Sequence, residues 1–243
     1  MEINVASYTD KGKVRKENQD CLIVSEDLNL YCVSDGMGGL EYGKVTAEIV
    51  RDQLILYIKL LKDKKLDITC ETIEKLLCKI SQNIQMMGNV EYGHTLYGAT
   101  LTGLLIHDNK AFIMNVGDSR VYKLCNHQFV QLTKDQSLVQ YWVDLGKISE
   151  IEAKNHPRRN IILEFMGKAS EIHPGVNEFE ISNNEIYCIC SDGLFSMIEE
   201  SRIQEILESN LSLDNKCQQL IDEANIAGGK DNISVVLVEV KGV

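Results

Sequence analysis

The sequence predicts an α+β protein with mainly antiparallel sheets and with helices packed on the sheet faces. Two observations support this fold class. Short apolar strands follow one another at hairpin spacing, and hairpin connections favour antiparallel pairing. Segments with helical periodicity stand between groups of strands rather than after every strand. We therefore expect the helices to form layers on the sheets and not to alternate with parallel strands.

Each element is expected from the spacing of its apolar residues. In residues 43–62, Val50 and Leu54 belong to a series that recurs at helical intervals. Gly88 is the expected end of the second helix. The strands between 99 and 125 are expected to form a meander. In chain order, the expected elements are strands 2–9, 21–25 and 30–34, helices 43–62 and 70–87, strands 99–107, 110–117 and 120–125, an irregular segment 135–168 with two short helical pieces, strands 172–181 and 185–191, helices 199–208 and 213–226, and strand 232–240.

The composition is that of one large domain. The chain has 243 residues, 44% of them hydrophobic, and only two prolines, so we expect a single domain over 1–243. The formal net charge of −11 argues against a general nucleic-acid or anionic-membrane binder. Most of the eight cysteines lie in apolar runs without zinc-site spacing, which indicates buried thiols in a reducing cytosol. Without a recognisable signal peptide or a membrane-length apolar run, we expect a cytoplasmic protein.

Aspartates stand at the ends of several apolar strands. Asp35 and Asp192 each precede a glycine, and Asp118 follows one. A single Asp-Gly pair is ordinarily a turn, but three at strand ends are harder to explain in that way. Asp20 and Asp231 lie where two further strands begin. Because buried carboxylates are costly unless they are paired, hydrogen-bonded or bound to metal, the pattern indicates one shared site.

The residue types at this site favour hard cations. Zinc and copper sites usually contain His or Cys, whereas oxygen ligands suit Mg²⁺ or Mn²⁺. Asp35 is the best candidate to bridge two ions, since Gly36 leaves its own carbonyl accessible as a further ligand. Two bridged ions can hold and activate a water molecule. Arg15, five residues before Asp20, has a guanidinium group that matches phosphate oxygens, although alone it would be a surface residue in a lysine-rich turn.

Taken in order, these motifs resemble the metal-dependent protein phosphatase family, the type 2C serine/threonine phosphatases, and in particular its compact bacterial members. The resemblance covers nearly the whole chain. The segments that carry it are 9–15, 18–20, 34–39, 115–120, 132–137, 146–167, 191–194 and 229–232. It implies a four-layer sandwich of two central mainly antiparallel β-sheets flanked by helix pairs, with a flap insertion at about 135–168.

The resemblance also assigns ligands to two tightly bound Mg²⁺ or Mn²⁺ ions. Asp35, Asp192 and Asp231 would hold one ion. Asp20, Asp35 and the Gly36 carbonyl would hold the other, partly through water. These aspartates, with Arg15 as phosphate ligand, are the expected catalytic residues.

Asp118 and Asp192 would hold a weaker third ion, as in bacterial members. The chain departs from the family pattern at Gln19, where many members have glutamate. It also departs at Met37, where some members have a histidine proposed as general acid.

The implied function is hydrolysis of phosphoserine and phosphothreonine on proteins by a water that bridges two metal ions. The expected partners are phosphoproteins modified by a cognate serine/threonine kinase, with no nucleic-acid or membrane partner and a monomeric state. One alternative is a catalytically weak regulatory module that binds phosphoproteins. Another is a different two-metal phosphoesterase, such as a nuclease. Retention of all five aspartates favours the enzyme, and the acidic balance speaks against a polyanionic substrate.

Overall fold

A computed structural model describes residues 1–37, 42–92 and 98–242, and for residues 89–92 it describes only the backbone. Gly38 and Gly39 of the second motif lie outside these residues. The strands are β1 Glu2–Asp10, β2 Asp20–Ser25, β3 Leu30–Asp35, β4 Leu101–His107, β5 Lys110–Val116, β6 Arg120–Cys125, β7 Gln128–Gln131, β8 Gly175–Glu180, β9 Glu185–Cys190 and β10 Ile233–Lys241. The helices are α1 Gly43–Asp63, α2 Cys70–Tyr92, α3 Leu138–Asp144, α4 Glu150–Lys154, α5 Asp192–Phe195, α6 Glu200–Glu208 and α7 Leu213–Ile226.

In the described part of the chain, the strands form two five-stranded sheets. Sheet one has the order β1-β10-β9-β6-β7, and sheet two has the order β2-β3-β4-β5-β8. Every pairing between these strands is antiparallel. The predicted α+β class with antiparallel sheets is confirmed.

Three apolar clusters hold the layers together. Between the two sheets, Tyr31 and Leu104 of sheet two share a buried cluster with Tyr187 and Val236 of sheet one. Helices α1 and α2 cover the outer face of sheet two, and helices α6 and α7 cover the outer face of sheet one. The order helix, sheet, sheet, helix is the four-layer sandwich that the resemblance implies.

The expected meander between 99 and 125 is wrong in one respect. Strands β4 and β5 form a hairpin in sheet two, but β6 pairs with β9 in sheet one. The chain changes sheets at Gly117, whose φ of +118° is open to glycine but strained for other residues. This crossing places Asp118 between the two sheets at the end of β5.

Three smaller expectations also differ from the structure. Helix α2 continues past Gly88 to Tyr92, since a glycine inside a helix costs only about 1 kcal/mol. The sequence reading missed strand β7, whose Phe129 stacks on Tyr122 at 4.7 Å between ring centroids. It also missed the single turn of α5, which begins at Asp192.

The segment 135–168 contains the two short helices that were expected. Ser137 caps α3, and Ser149 forms a capping box with Glu152 at the start of α4. The segment returns to its starting point where the Leu163 amide donates to the Gln136 carbonyl at 2.8 Å. Among the described helices, none combines the length and apolar character needed to cross a bilayer.

Candidate active site

Strand register places the first two aspartates face to face. In the β2–β3 hairpin, Asp20 is the cross-strand partner of Asp35. Like charges directly opposite each other in an antiparallel pair are destabilising. The hairpin therefore requires a compensating positive charge or protonation at this end.

The other three aspartates reach the same place from both sheets. Asp118 follows β5, Asp192 follows β9 as the first residue of α5, and Asp231 lies two residues before β10. All three raise the pKa of the Asp35 carboxyl by repulsion, as does Asp20. We call these five residues the aspartate cluster. The structure thus brings together every carboxylate that the strand-end pattern singled out.

Burial and mutual repulsion make the aspartate cluster a poor place for negative charge. Burial, the larger cause, raises the pKa of Asp20 to about 6 and that of Asp118 to about 7. Burial followed by repulsion from neighbouring carboxylates raises the pKa values of Asp35 and Asp192 well above their ordinary range. A cation bound among them would reverse this effect.

Two buried hydroxyl groups that the sequence did not single out help to position Asp20 and Asp35. Ser191 Oγ donates to Asp20 Oδ2 at 2.8 Å and accepts from the Ser234 amide at 3.0 Å. Thr100 Oγ1 accepts from the Asp35 amide at 3.0 Å. Only the position of Ser191 next to Asp192 could have drawn attention to it, because Thr100 is distant in sequence from every aspartate.

Asn232 holds the loop of the first motif against the strand that follows Asp231. Its Oδ1 accepts from the Gln19 amide at 2.8 Å. Its Nδ2 donates to the carbonyls of Lys11 and Glu17, each at 2.9 Å. With three hydrogen bonds to one loop, this buried side chain fixes the position of Arg15 and Asp20 relative to Asp231.

Gln136 connects the Asp118 turn with the flap segment. Its Oε1 accepts from the Gly117 amide at 2.9 Å, and its own amide donates to the Gly117 carbonyl at 2.9 Å. Its Nε2 donates to the His173 carbonyl at 2.8 Å, and its carbonyl accepts from Leu163. Gln136 therefore contacts the turn before Asp118, the residues that lead into β8 and the end of the flap segment.

Two glycines allow the close contacts at the site. A Cβ on Gly36 would lie 2.5 Å from the backbone of Gly43, the first residue of α1. A Cβ on Gly193 would overlap the Asn232 carbonyl oxygen. A side chain at either position would displace the backbone that carries Asp35 or Asp192.

Arg15 lies at the cluster, but in contact with a carboxylate. Its Nη2 donates to Asp231 Oδ2 at 2.7 Å. The Arg15 side chain is 40% exposed, and a guanidinium group has five N–H donors. The contact with Asp231 leaves other donors of Arg15 on the solvent side. The sequence indicated phosphate oxygens as the partner of Arg15 and gave no sign of this direct pair with Asp231.

The donor set fits divalent cations that prefer oxygen ligands. Among the described residues, the buried oxygens Asp20 Oδ1 and Asp192 Oδ1 have no hydrogen-bond partner. In the same part of the chain, no three His, Cys, Asp or Glu side chains are arranged to hold one ion on their own. Ions at this site would therefore complete their coordination with water or backbone carbonyls, as Mg²⁺ commonly does.

The raised pKa values predict how the ion-free protein responds to pH. The folded state keeps protons on Asp20 and Asp118 at pH values where an unfolded chain, with a pKa near 3.9, has lost them. The stability that these two groups contribute is therefore fully present below about pH 4 and is lost as the pH rises through about 6 to 7. In chelator, we expect the melting temperature to be roughly 5–10 °C lower at pH 8 than at pH 5.

Thermal melts with and without Mg²⁺ provide the measurement, and added Mg²⁺ should restore much of the loss at pH 8. A melting temperature in chelator that is equal or higher at pH 8 would show that the cluster is not strained by charge.

Comparison with known proteins assigns the family. The model of the Protein phosphatase 2C family matches residues 12–223. The chain belongs to the protein phosphatase 2C family. The serine/threonine phosphatase Stp of Listeria monocytogenes is 35% identical over 242 residues, covering 95% of this chain and 93% of that protein. The protein phosphatase PhpP of Streptococcus pneumoniae is 34% identical over 245 residues, covering 98% and 97%. The predicted enzyme class, a protein serine/threonine phosphatase, is confirmed.

Solved structures of serine/threonine phosphatases share the same architecture. The serine/threonine phosphatase PstP/Ppp of Mycobacterium tuberculosis has a TM-score of 0.89, with 29% identity and 99% of both chains covered. The catalytic domain of a PstP in complex with two manganese ions has a TM-score of 0.85, with 28% identity and 99% of both chains covered. These likenesses support the four-layer fold and a requirement for divalent metal.

Proposed function

We propose that this chain hydrolyses phosphoserine and phosphothreonine on proteins and that the aspartate cluster binds the ions it needs. The observation that carries the proposal is the cluster itself, because five carboxylates at the ends of five strands meet in a buried place where their charges repel. Such an arrangement is unfavourable for stability and is understandable as a binding site for divalent cations. The names of the relatives supply the substrate class.

Each aspartate has a proposed place in metal binding. Asp35, Asp192 and Asp231 would hold one ion, and Asp20, Asp35 and the Gly36 carbonyl would hold the second. The unpaired oxygens of Asp20 and Asp192 support this assignment. Ions held by these residues would lower the pKa of a water molecule and so supply the nucleophile.

The chain's own groups hold and orient what reacts. Arg15 would bind phosphate oxygens with the donors that its pair with Asp231 leaves available. Ser191 holds Asp20 Oδ2 with its hydroxyl group, and Asp20 Oδ1 then points away from Ser191. Asn232 keeps the Arg15 loop at a constant distance from Asp231.

Asp118 would hold a weaker third ion together with Asp192. Repulsion from Asp118 is the largest charge effect on the pKa of Asp192, which supports a shared ligand role. Sites with few protein ligands keep most of their waters and bind loosely. The proposed third ion should therefore be the first to leave.

The wider setting of the activity is also a proposal. Eight cysteines without a disulfide fit a cytoplasmic protein, since reducing compartments keep thiols free. We propose a monomer whose substrates are phosphoproteins modified by a cognate serine/threonine kinase. The residues 135–168 would act as the flap of a single domain that spans 1–243.

The direct test measures phosphate release from a phosphothreonine peptide and from an aryl phosphate, in chelator and with Mg²⁺ or Mn²⁺. We expect no turnover in chelator and recovery with either ion. Turnover that persists after complete removal of metal would overturn the mechanism. Phosphopeptide binding without turnover under every metal condition would support the regulatory-module alternative instead.

Replacing Arg15 with alanine should weaken phosphate binding. A charge-assisted hydrogen bond contributes about 1.5–3 kcal/mol, so kcat/KM should fall roughly tenfold to a hundredfold. Inhibition by inorganic phosphate should weaken in parallel, and Arg51→Ala, which removes an arginine paired with Asp52 on α1, is the matched control. Unchanged kinetics in Arg15→Ala would return this residue to the role of a surface turn residue.

A further inference from the structure

Four exposed lysines lie on the two loops that carry Arg15 and Asp231. Lys11, Lys13 and Lys16 stand on the loop that carries Arg15, and Lys230 immediately precedes Asp231. We call these four residues the lysine rim. Within the described part of the chain, none of them lies within ion-pair distance of a carboxylate. Their charges are therefore available to a ligand that approaches from solvent.

The two loops that carry the lysine rim are fixed to each other. The amides of Lys13 and Val14 both donate to the Gly229 carbonyl, at 2.8 and 3.3 Å. A Cβ on Gly12 would overlap the Asp231 carbonyl oxygen, so the backbones are in close contact. Loops joined in this way hold their lysines in one place instead of letting them disperse in solvent.

The lysine rim contrasts with the charge of the whole protein. The chain has a formal net charge of −11. Residues 11–17 nevertheless carry four cations and one acidic residue, Glu17, and Lys230 adds a fifth cation from the neighbouring loop. Charges near a binding site raise the local concentration of oppositely charged ligands even when the overall charge is unfavourable.

We propose that the lysine rim binds acidic side chains that flank the phosphorylated residue of a protein substrate. The inference rests on the proposed phosphatase function, since Arg15 then marks where the phosphate lies and the rim lies beside it. A peptide whose phosphate reaches Arg15 passes the lysines on both sides of that residue in the loop. The enzyme therefore prefers phosphosites in acidic sequence.

Peptides of matched length test the preference. One phosphothreonine peptide is made with glutamate, glutamine or lysine on either side of the phosphorylated residue, and KM is measured at about 0.1 M and about 1 M salt. At the lower salt, the glutamate peptide should have a KM about five- to tenfold below that of the glutamine peptide, as expected for a few exposed charge pairs. At about 1 M salt, where the screening length is about 3 Å, the difference should largely vanish.

The variant Lys13→Gln/Lys230→Gln locates the effect. The ratio of KM between the glutamine and glutamate peptides, taken within one protein, should fall to within about twofold. The matched control is Lys59→Gln/Lys64→Gln at the far end of α1, about 24 Å and about 32 Å along the helix axis from its start. The control should keep the wild-type ratio.

The outcomes separate this inference from the proposed function. If wild-type protein hydrolyses the aryl phosphate but shows equal KM values, or prefers the lysine peptide as its net charge would dictate, the inference is overturned and the phosphatase function stands. Retention of the ratio in Lys13→Gln/Lys230→Gln also overturns it. If no phosphate ester is hydrolysed with any metal, the proposed function itself fails.

Discussion

Replacing Asp192 with asparagine should abolish turnover and, at the same time, make the ion-free protein more stable. Asp192 is buried, has one oxygen without a partner and is repelled by Asp118, Asp231 and Asp20. A neutral amide of nearly the same shape removes that repulsion and costs less to bury than a carboxylate. An amide is a weaker ligand for divalent ions than a carboxylate. The variant therefore loses a residue that we propose binds more than one ion.

We expect kcat/KM to fall by at least about a thousandfold, as when one member of a cooperating catalytic group is removed. In chelator at pH 8, the melting temperature of Asp192→Asn should exceed that of wild type, and the gain should shrink as the pH falls, because the raised pKa of Asp192 favours its neutral carboxyl. Calorimetric melts beside steady-state assays give both readings. Asp63→Asn, an exposed carboxylate at the end of α1, is the matched control and should change neither.

A lower melting temperature for Asp192→Asn in chelator would contradict the charge strain that we infer at the cluster. Turnover within about tenfold of wild type would contradict the ligand role. The two readings are independent, so the electrostatic and catalytic claims can fail separately.

The Asp118→Asn variant should keep the fold and the two tightly bound ions but lose most of its turnover. Asp118 lies at the crossing between the sheets, and the largest charge effect on its pKa comes from Asp135, which is held by a bidentate pair with Arg120. That pair should survive the substitution, because it involves neither oxygen of Asp118. Only the proposed third ion depends on this carboxylate together with Asp192.

Titration calorimetry with Mn²⁺ should show one fewer weakly bound ion in Asp118→Asn than in wild type. Turnover of a phosphothreonine peptide should fall roughly a hundredfold or more, because the ion that Asp118 and Asp192 would hold would supply a proton donor for the leaving group. If the variant binds the same number of ions and turns over normally, Asp118 is a turn residue that follows Gly117. Asp108→Asn, in the exposed β4–β5 turn, serves as the control.

Much of this architecture could be predicted because its signals are local. An apolar strand that ends in Asp35 or Asp192 beside glycine is visible in eight or nine consecutive residues. Helix α7 was predicted with its observed bounds, because its apolar residues keep a regular period between Ser212 and the following glycines. The same local signals placed all five aspartates at strand ends.

What could not be predicted depends on residues that are far apart in sequence. The partner of Arg15 is 216 residues away, and Asn232 reaches Lys11 across 221 residues. The crossing of β6 into sheet one depends on the torsion of Gly117, which leaves no trace in the hydrophobic pattern. Gln136 is an ordinary polar residue in the sequence, and its role as a connector follows only from its contacts.

The position of β10 has a consequence for how the protein is made. This strand lies between β1 and β9 in sheet one, and Asp231 lies just ahead of it. The ribosome synthesises Arg15 and Asp20 early. Strand β1 can pair fully with β10 only after residue 241 has been added. Until then the nascent chain has an unpaired β1 edge open to chaperones and lacks its fifth carboxylate. We therefore expect hydrolytic activity only after β10 has been synthesised and has paired with β1.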